Sequence, residues 1–436
     1  MKKSSTIFFL LFSMVCTSQA QEVLSLNEAI GIALKRNYNI QLSQNEVEIA
    51  RASNSWAAAG KLPTATLNGF SNNSLTNLNQ KLNNGTEIVR NGVRNSTLGA
   101  NGQVSYRIYG GKRVDIIKER FNLQEALSNE GLKQDINQTI FDVTNRYINI
   151  NRLIRQRNAI LETISFFEER SKLSKSRFEI GTAGKNDYLQ SQVDLNVQRN
   201  NEINLINNIQ LAKMDLNEIL ARDPNTPFDV DEINIPENLP SRADMLAAID
   251  SLNPQMIMLR YNKKILDQNA LEIKALQKPS VFVNGGLNFN YNNNTAGFNL
   301  FQQTYGPTAG FNISYPLFTN PIAKQQLSII RLQQKNQDLQ LESMKQSLWS
   351  FAADAYQNFE NAKSLIALEE SNLDIIREHN SIAMERFRKA SITTVELRQA
   401  QLNLVEAQNR IINARFVLKQ SELQILWVMG RLAESE

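Results

Sequence analysis

The residues able to do chemistry are few. The 436-residue chain holds one His and one Cys, which excludes most metal sites built from those ligands and any disulfide within the chain. His379 stands beside Glu378 in a long helical stretch with no nucleophile motif nearby, and reads as a surface histidine. No H-E-x-x-H, G-x-S-x-G or paired-Cys pattern occurs. Gly110-Gly111-Lys112 lacks the G-x-x-x-x-G-K-[ST] spacing that cradles a phosphate. Trp56, Trp349 and Trp427 suit packing better than a ligand site. Two carboxylates stand in matching places, Asp187 and Glu396, each at the start of a helical stretch after a tight turn. Both suit first-turn pairing with a helix dipole. These residues therefore point to no cofactor and no catalysis.

The elements that position these carboxylates are repeated. In the back half of each repeat, residue i matches i+209: Arg177-Phe178-Glu179-Ile180-Gly181 with Arg386-Phe387-Arg388-Lys389-Ala390, and Asp187 through Gln192 with Glu396 through Gln401. In the front half the offset is 216, matching Asn37 with Asn253 and Lys61-Leu62-Pro63 with Gln277-Lys278-Pro279. The offset changes between residues 63 and 104, inside a polar stretch where a length difference costs little. Repeats of this size indicate an internal duplication. The first repeat covers 21–221 and the second 242–436, joined by a Pro-rich linker, 222–241.

Each repeat reads helix, strand, loop, strand, long helix, turn, helix. The predicted helices are 24–59, 112–178 and 185–221 in the first copy, and 242–277, 323–389 and 394–430 in the second. A long helix of this size would span roughly 100 Å, and the two shorter ones laid end to end would match it. Leu397, Leu404, Ile411, Leu418 and Ile425 follow one another at seven residues, and Ala400, Ala407, Ala414, Ser421 and Val428 trail them by three. That is an antiparallel coiled-coil seam with small residues allowing close approach. By themselves such helices would also suit a soluble rod.

The strands argue otherwise. They are predicted at about 64–70, 98–108, 280–291 and 305–318, with polar loops at about 71–97 and 292–303. Leu98, Val104, Tyr106 and Ile108 alternate with polar residues, as do Val281, Val283, Leu287, Phe289 and Tyr291. Strands of about ten residues with one apolar face suit a tilted crossing of a bilayer. Four strands cannot close a barrel, and lipid tolerates no open edge. At least two chains must then share one barrel.

An export address leads the chain. Lys2 and Lys3 precede an apolar stretch from Ile7 to Val15, and Ser18-Gln19-Ala20 suits signal-peptidase cleavage. Residues 1–20 are expected to be removed. Cys16 would be a lipidation site only if cleavage fell before it, and Val15 in front of it argues against that. Net charge is +4, too small for a nucleic-acid footprint, and no later apolar run is long enough for a membrane helix.

This ordered, duplicated set resembles the TolC-like outer membrane efflux proteins over nearly the whole mature chain. The two turn regions are similar to the family's R-Y-x-x-G-T…D-V-L-x-A-Q pattern. Asn253-Pro254 and the strand-to-helix segments Val104-Ser105-Tyr106 with Gly110-Gly111-Lys112, and Ile313 to Phe318, add to the likeness. The resemblance implies a mainly α protein with a β membrane part. Its long coiled-coil helices would build a periplasmic α-barrel, and four strands per chain would enter a trimeric twelve-stranded outer-membrane barrel. It implies a homotrimer set in outer-membrane lipid. Its partners would be a periplasmic adaptor and an inner-membrane pump of the resistance-nodulation (RND) or ATP-binding cassette (ABC) type, in efflux or type I secretion. Asp187 and Glu396 would lie near the inner pore end, with Gln399 where some members carry a second carboxylate. Arg177, Gly181, Thr182, Ala183 and Gly184, with Arg386, Lys389, Ala390 and Ser391, would form the adaptor-docking turns. Phe387 and Ile392 stand where some members have a Tyr and an Arg that tether the closed end, so this chain departs from that charge-paired lock. The alternative is a periplasmic scaffold or adaptor that never enters the membrane; an envelope hydrolase is disfavoured by the missing motifs.

Overall fold

The computed structural model describes residues 23–232, 239–318 and 320–432. The expected signal peptide with Cys16, and part of the expected linker, lie outside them. The described chain divides into two compact units. The first holds residues up to Ile40, Ile136–Leu246 and Ser350 onward; the second holds Gln41–Asp135 and Ala247–Trp349.

Helices α1 (Leu26–Arg36), α2 (Tyr38–Ser53), α3 (Arg113–Glu179), α4 (Lys185–Ile219), α5 (Arg242–Leu252), α6 (Pro254–Leu276), α7 (Asn320–Arg388) and α8 (Thr394–Val428) carry most of the chain. The expected single helices 24–59 and 242–277 are each split, and an asparagine does the splitting. Asn37 leaves the helix with extended backbone, and its Oδ1 accepts from the amide of Asn39 at 2.9 Å. Its repeat mate Asn253 caps α6, accepting from Gln255 at 3.0 Å and Met256 at 3.3 Å, with Pro254 at the first helical position. An Asn side chain that satisfies the orphan amides of a new helix start ends the previous helix at that point. Leu24 is not helical either. It lies in β1 (Val23–Leu24), which pairs in parallel with β4 (Asp229–Val230).

The first unit packs α1, the middle of α3 and the C-terminal ends of α4 and α8 into one core that includes Ile30, Val143, Ile150, Leu216 and Leu423. Tyr147 is buried there. Its hydroxyl donates to the Leu24 carbonyl at 2.8 Å and accepts from the Asp231 amide at 2.8 Å, and burial pushes its pKa up to about 12. All ten seam residues of α8 are buried, as the small-residue heptad requires. In the copy-one helix α4 the matching register keeps Leu195, Ile209 and Leu216 inside. Glu202, which breaks that register, turns to Arg157 on α3 at 3.7 Å.

The second unit contains a four-stranded antiparallel sheet, β2 (Thr64–Lys81), β3 (Glu87–Tyr109), β5 (Ser280–Asn294) and β6 (Phe301–Ser314), in that order. The β3–β5 pairing joins the two repeats into one sheet. The sheet is larger than its sequence pattern suggested: most of 71–97 is strand, not loop. The polar stretch pairs with itself as a hairpin extension, so its backbone groups find partners without any apolar face. Ser96 Oγ donates to Asn73 Oδ1 at 2.7 Å, Asn95 Nδ2 donates to Thr76 Oγ1 at 3.0 Å, and the true turn is confined to residues 82–86. Period-two reading misses such a strand because both of its faces are polar. β6 begins at Phe301 and ends at Ser314, earlier than expected at both ends.

Register aligns the apolar positions of all four strands. Leu67 sits opposite Gly102, Gly102 opposite Leu287 and Leu287 opposite Pro307; the next rows read Ala65–Val104–Gly285–Ala309 and Gly69–Ala100–Phe289–Tyr305. The other face carries the rows Thr66–Gln103–Gly286–Thr308, Asn68–Asn101–Asn288–Gly306 and Phe70–Gly99–Asn290–Thr304. None of the described residues covers the apolar face: Leu67 is 82% exposed and Tyr305 80%.

Candidate functional site

Two regions are candidates for a functional site: the helix tips of the first unit and the sheet of the second. At the first tip, α3 ends in a left-handed Gly181 (φ 77°). The Thr182 amide returns to the Arg177 carbonyl at 2.8 Å and the Gly181 amide to Phe178 at 3.0 Å, closing a Schellman turn. Gly184 then starts α4 without a side-chain cap. Asp187, half-buried, is in the first turn of α4, where a carboxylate faces the positive end of the helix dipole.

The second tip repeats these bonds with other residues. The Ser391 amide reaches the Arg386 carbonyl at 2.8 Å, and Ala390, at φ 58°, bonds back to Phe387 at 2.9 Å. Thr393 caps α8 by accepting from the Glu396 amide at 3.2 Å. Glu396 is exposed in that first turn; Gln399, also exposed, donates to Asn403 at 2.9 Å. Lys389, Ala390 and Ser391 are exposed, as are Gly181, Thr182 and Gly184, whereas Ala183 is half-buried. Arg177 is half-buried and turned to the protein, its guanidinium 4.8 Å over the Phe387 ring. Phe387 is 1% exposed and packs with Met384, Ile392 and Leu397. Phe387 and Ile392, the positions at which the resemblance would place a tether, are both core residues.

One cluster lies beyond what sequence reasoning found. Arg170 on α3 is fully buried, ion-paired with Asp194 on α4, and donates to Gln401 Oε1 on α8 at 2.9 Å. Asp194 also takes Arg398 Nε at 3.1 Å and Gln190 Nε2 at 2.9 Å. Burial pulls the Arg170 pKa down from its usual value, and the bond to Asp194 opposes this. The cluster ties the first hairpin to α8 about eleven residues, roughly 16 Å of helix, above the first tip. Its members lie 24 and 231 residues apart, a separation no local pattern encodes. Nearby, Arg388 bonds Glu169 on α3. Glu369 on α7 holds Arg410 on α8 through 2.8 and 3.2 Å bonds, and these lower its pKa. His379 is exposed on α7. The described residues contain no group of His, Cys, Asp or Glu arranged to hold a metal ion.

In the sheet, β2 and β6 each have one edge with no partner strand among the described residues. None of the described helices is long and apolar enough to cross a membrane. The sheet, with a continuous exposed apolar face and two open edges, is the element suited to lipid, provided further strands close it.

A family model described as outer membrane efflux protein matches residues 29–222 and 252–431, that is, both repeats. No curated protein matches the sequence. Among solved structures, the outer membrane protein VceC from Vibrio cholerae is similar over 93% of this chain and 96% of its own, with a TM-score of 0.75 at 17% identity. The Campylobacter jejuni CmeC outer membrane channel gives 0.74 at 16% identity, covering 93% and 85%. The open state of the Neisseria gonorrhoeae MtrE outer membrane channel gives 0.69 at 17% identity, covering 93% and 88%.

Proposed function

Since this chain belongs to the outer membrane efflux protein family and is an outer-membrane exit duct with a helical tunnel and a β-barrel part, we propose that it conducts its cargo passively, as a homotrimer, from a periplasmic adaptor and an inner-membrane pump. The observation that carries this reading is the sheet: a continuous, exposed apolar face bounded by two open edges. Lipid would cover the face, and β2 of one copy meeting β6 of the next would remove the edges. Three copies bring twelve strands, above the roughly eight at which membrane barrels begin. A periplasmic scaffold would have to leave that face in water.

The tips would dock the adaptor. Gly181, Thr182 and Gly184 with Arg386, Lys389, Ala390 and Ser391 supply an exposed polar surface, while Arg177 is held against Phe387 and would shape the turn more than touch a partner. Asp187 and Glu396 would favour cations at the inner end, with Gln399 adding no charge there. The pump would be of the RND or ABC type, in efflux or in type I secretion. The cargo would pass chemically unchanged, as through a conduit.

The test is the native mass of the protein extracted in mild detergent from separated membranes. A trimer in the outer-membrane fraction is expected; a monomer or dimer released without detergent would remove the duct and favour the scaffold. Rebuilding residues 181–184 should abolish export while leaving trimers intact, and unchanged export would count against docking at that turn.

A further inference from the structure

The polar face of the sheet has a composition that its register makes visible. Across its three central rows the side chains are amides, hydroxyls and glycine, with a single aromatic, Phe70. No Asp, Glu, Lys or Arg occurs in 64–76, 95–105, 280–294 or 301–314. The sheet's charges lie at its two ends. Lys81, Glu87, Arg90 and Arg94 belong to the hairpin extension, and Lys81 pairs with Glu87 at 3.2 Å. At the opposite end Arg107 lies 5.0 Å over the Phe282 ring. Between these ends the amides bond each other: Asn101 donates to Asn288, and Asn288 to Thr308 Oγ1 at 3.4 Å. Phe70 does not stand away from the wall. A Cβ on Gly99 would overlap its ring, so the ring lies where that side chain would have been, and the face stays open.

Resting on the duct reading, in which the apolar face meets lipid and the polar face lines the lumen, we propose that the barrel lumen is a charge-neutral passage. Amide and hydroxyl groups line it, it hydrogen-bonds its cargo, and it passes solutes of either sign. Whatever discrimination by charge the duct exerts is then confined to residues outside the sheet's uncharged central rows. The physical argument is range. Asn101 is six residues from Arg107, about 20 Å of strand, and the screening length at physiological salt is about 8 Å. The end charges therefore do not set the potential at the central rows. Neutral amides offer donors and acceptors equally, and bias neither anions nor cations.

The test uses single cysteines in the full chain carrying Cys16→Ala, purified and reconstituted into lipid vesicles. The reagents are cationic and anionic methanethiosulfonates of similar size. Asn101→Cys and Asn288→Cys probe the lumen, Leu67→Cys and Leu287→Cys the apolar face, and Asn84→Cys in the exposed hairpin turn is the reference. The expected ratio of cationic to anionic rates at the lumenal sites equals the reference ratio within about threefold, since the nearest fixed charges are more than a screening length away. The apolar-face cysteines should react with neither reagent. A lumenal ratio more than about tenfold from the reference, a difference that a potential set by nearby unscreened charge would produce, overturns the neutral passage while the duct stands. Apolar-face cysteines that react as fast as Asn84→Cys overturn the duct reading itself, and the proposal with it.

Discussion

The two helix tips have the same backbone and different supports. Both close Schellman turns with equivalent bonds 209 residues apart. The first uses glycine at the left-handed position, leaves α4 without a side-chain cap, and rests on an exposed stack of Phe178 against Tyr188, 6.4 Å between ring centres. The second forces alanine into that conformation, caps α8 with Thr393, and seats Phe387 in a core of Met384, Ile392 and Leu397. Duplication preserved the turn geometry, and each copy stabilised it by other means: backbone freedom in one, packing and a cap in the other.

That contrast predicts unequal responses to equivalent changes, each readable in thermal unfolding of the helical signal. The largest belongs to the buried ring. Phe387→Ala should cost about 3–5 kcal/mol, whereas Phe178→Ala, half in water, should cost about 1. Equal losses would mean that the second tip is not the packed one. Next is the tie above the tips. Arg170→Ala leaves Asp194 buried with only its outer partners and should cost about 3 kcal/mol. Arg398→Gln, at the exposed side of the same carboxylate, should cost under about 1. Then come the left-handed positions. Gly181→Ala should cost about 1 kcal/mol and Ala390→Gly should return about the same, because only the φ angle is at stake; a Cβ at Gly181 would meet nothing within 4 Å. Thr393→Ala should cost about 1 kcal/mol, while Gly184→Ser should gain a few tenths.

The smallest effect is one of pH. Glu369 has its pKa lowered by Arg410. Its contribution is therefore present above the ordinary glutamate value and is lost as pH falls through the lowered one. Glu369→Gln should flatten the acid-side decline of the melting midpoint below the ordinary glutamate range, and an unchanged slope would place that decline on other carboxylates.

The turns and the α8 seam were legible because each is local. A left-handed position, a first-turn carboxylate and a seven-residue spacing all declare themselves within two helical turns. The strand alternation was legible for the same reason, and so was the apolar face. The Asn37 and Asn253 breaks were visible only as a repeated residue, since an asparagine inside an apolar pattern does not say whether it caps or faces water. The hairpin extension was hidden because its faces are both polar, so no period marks it.

The sequence by itself determined the duplication, the long hairpins and the one-sided strands, since these rest on periodicity and composition. Tertiary structure alone decided the rest: the β3–β5 junction that merges both repeats into one sheet, the parallel pairing of Leu24 with Val230, and the Arg170–Asp194–Gln401 tie. Each joins residues brought together only when helices and strands pack. A buried charge or a strand partner is chosen by what lies across the interface, and that choice leaves no local trace along the chain.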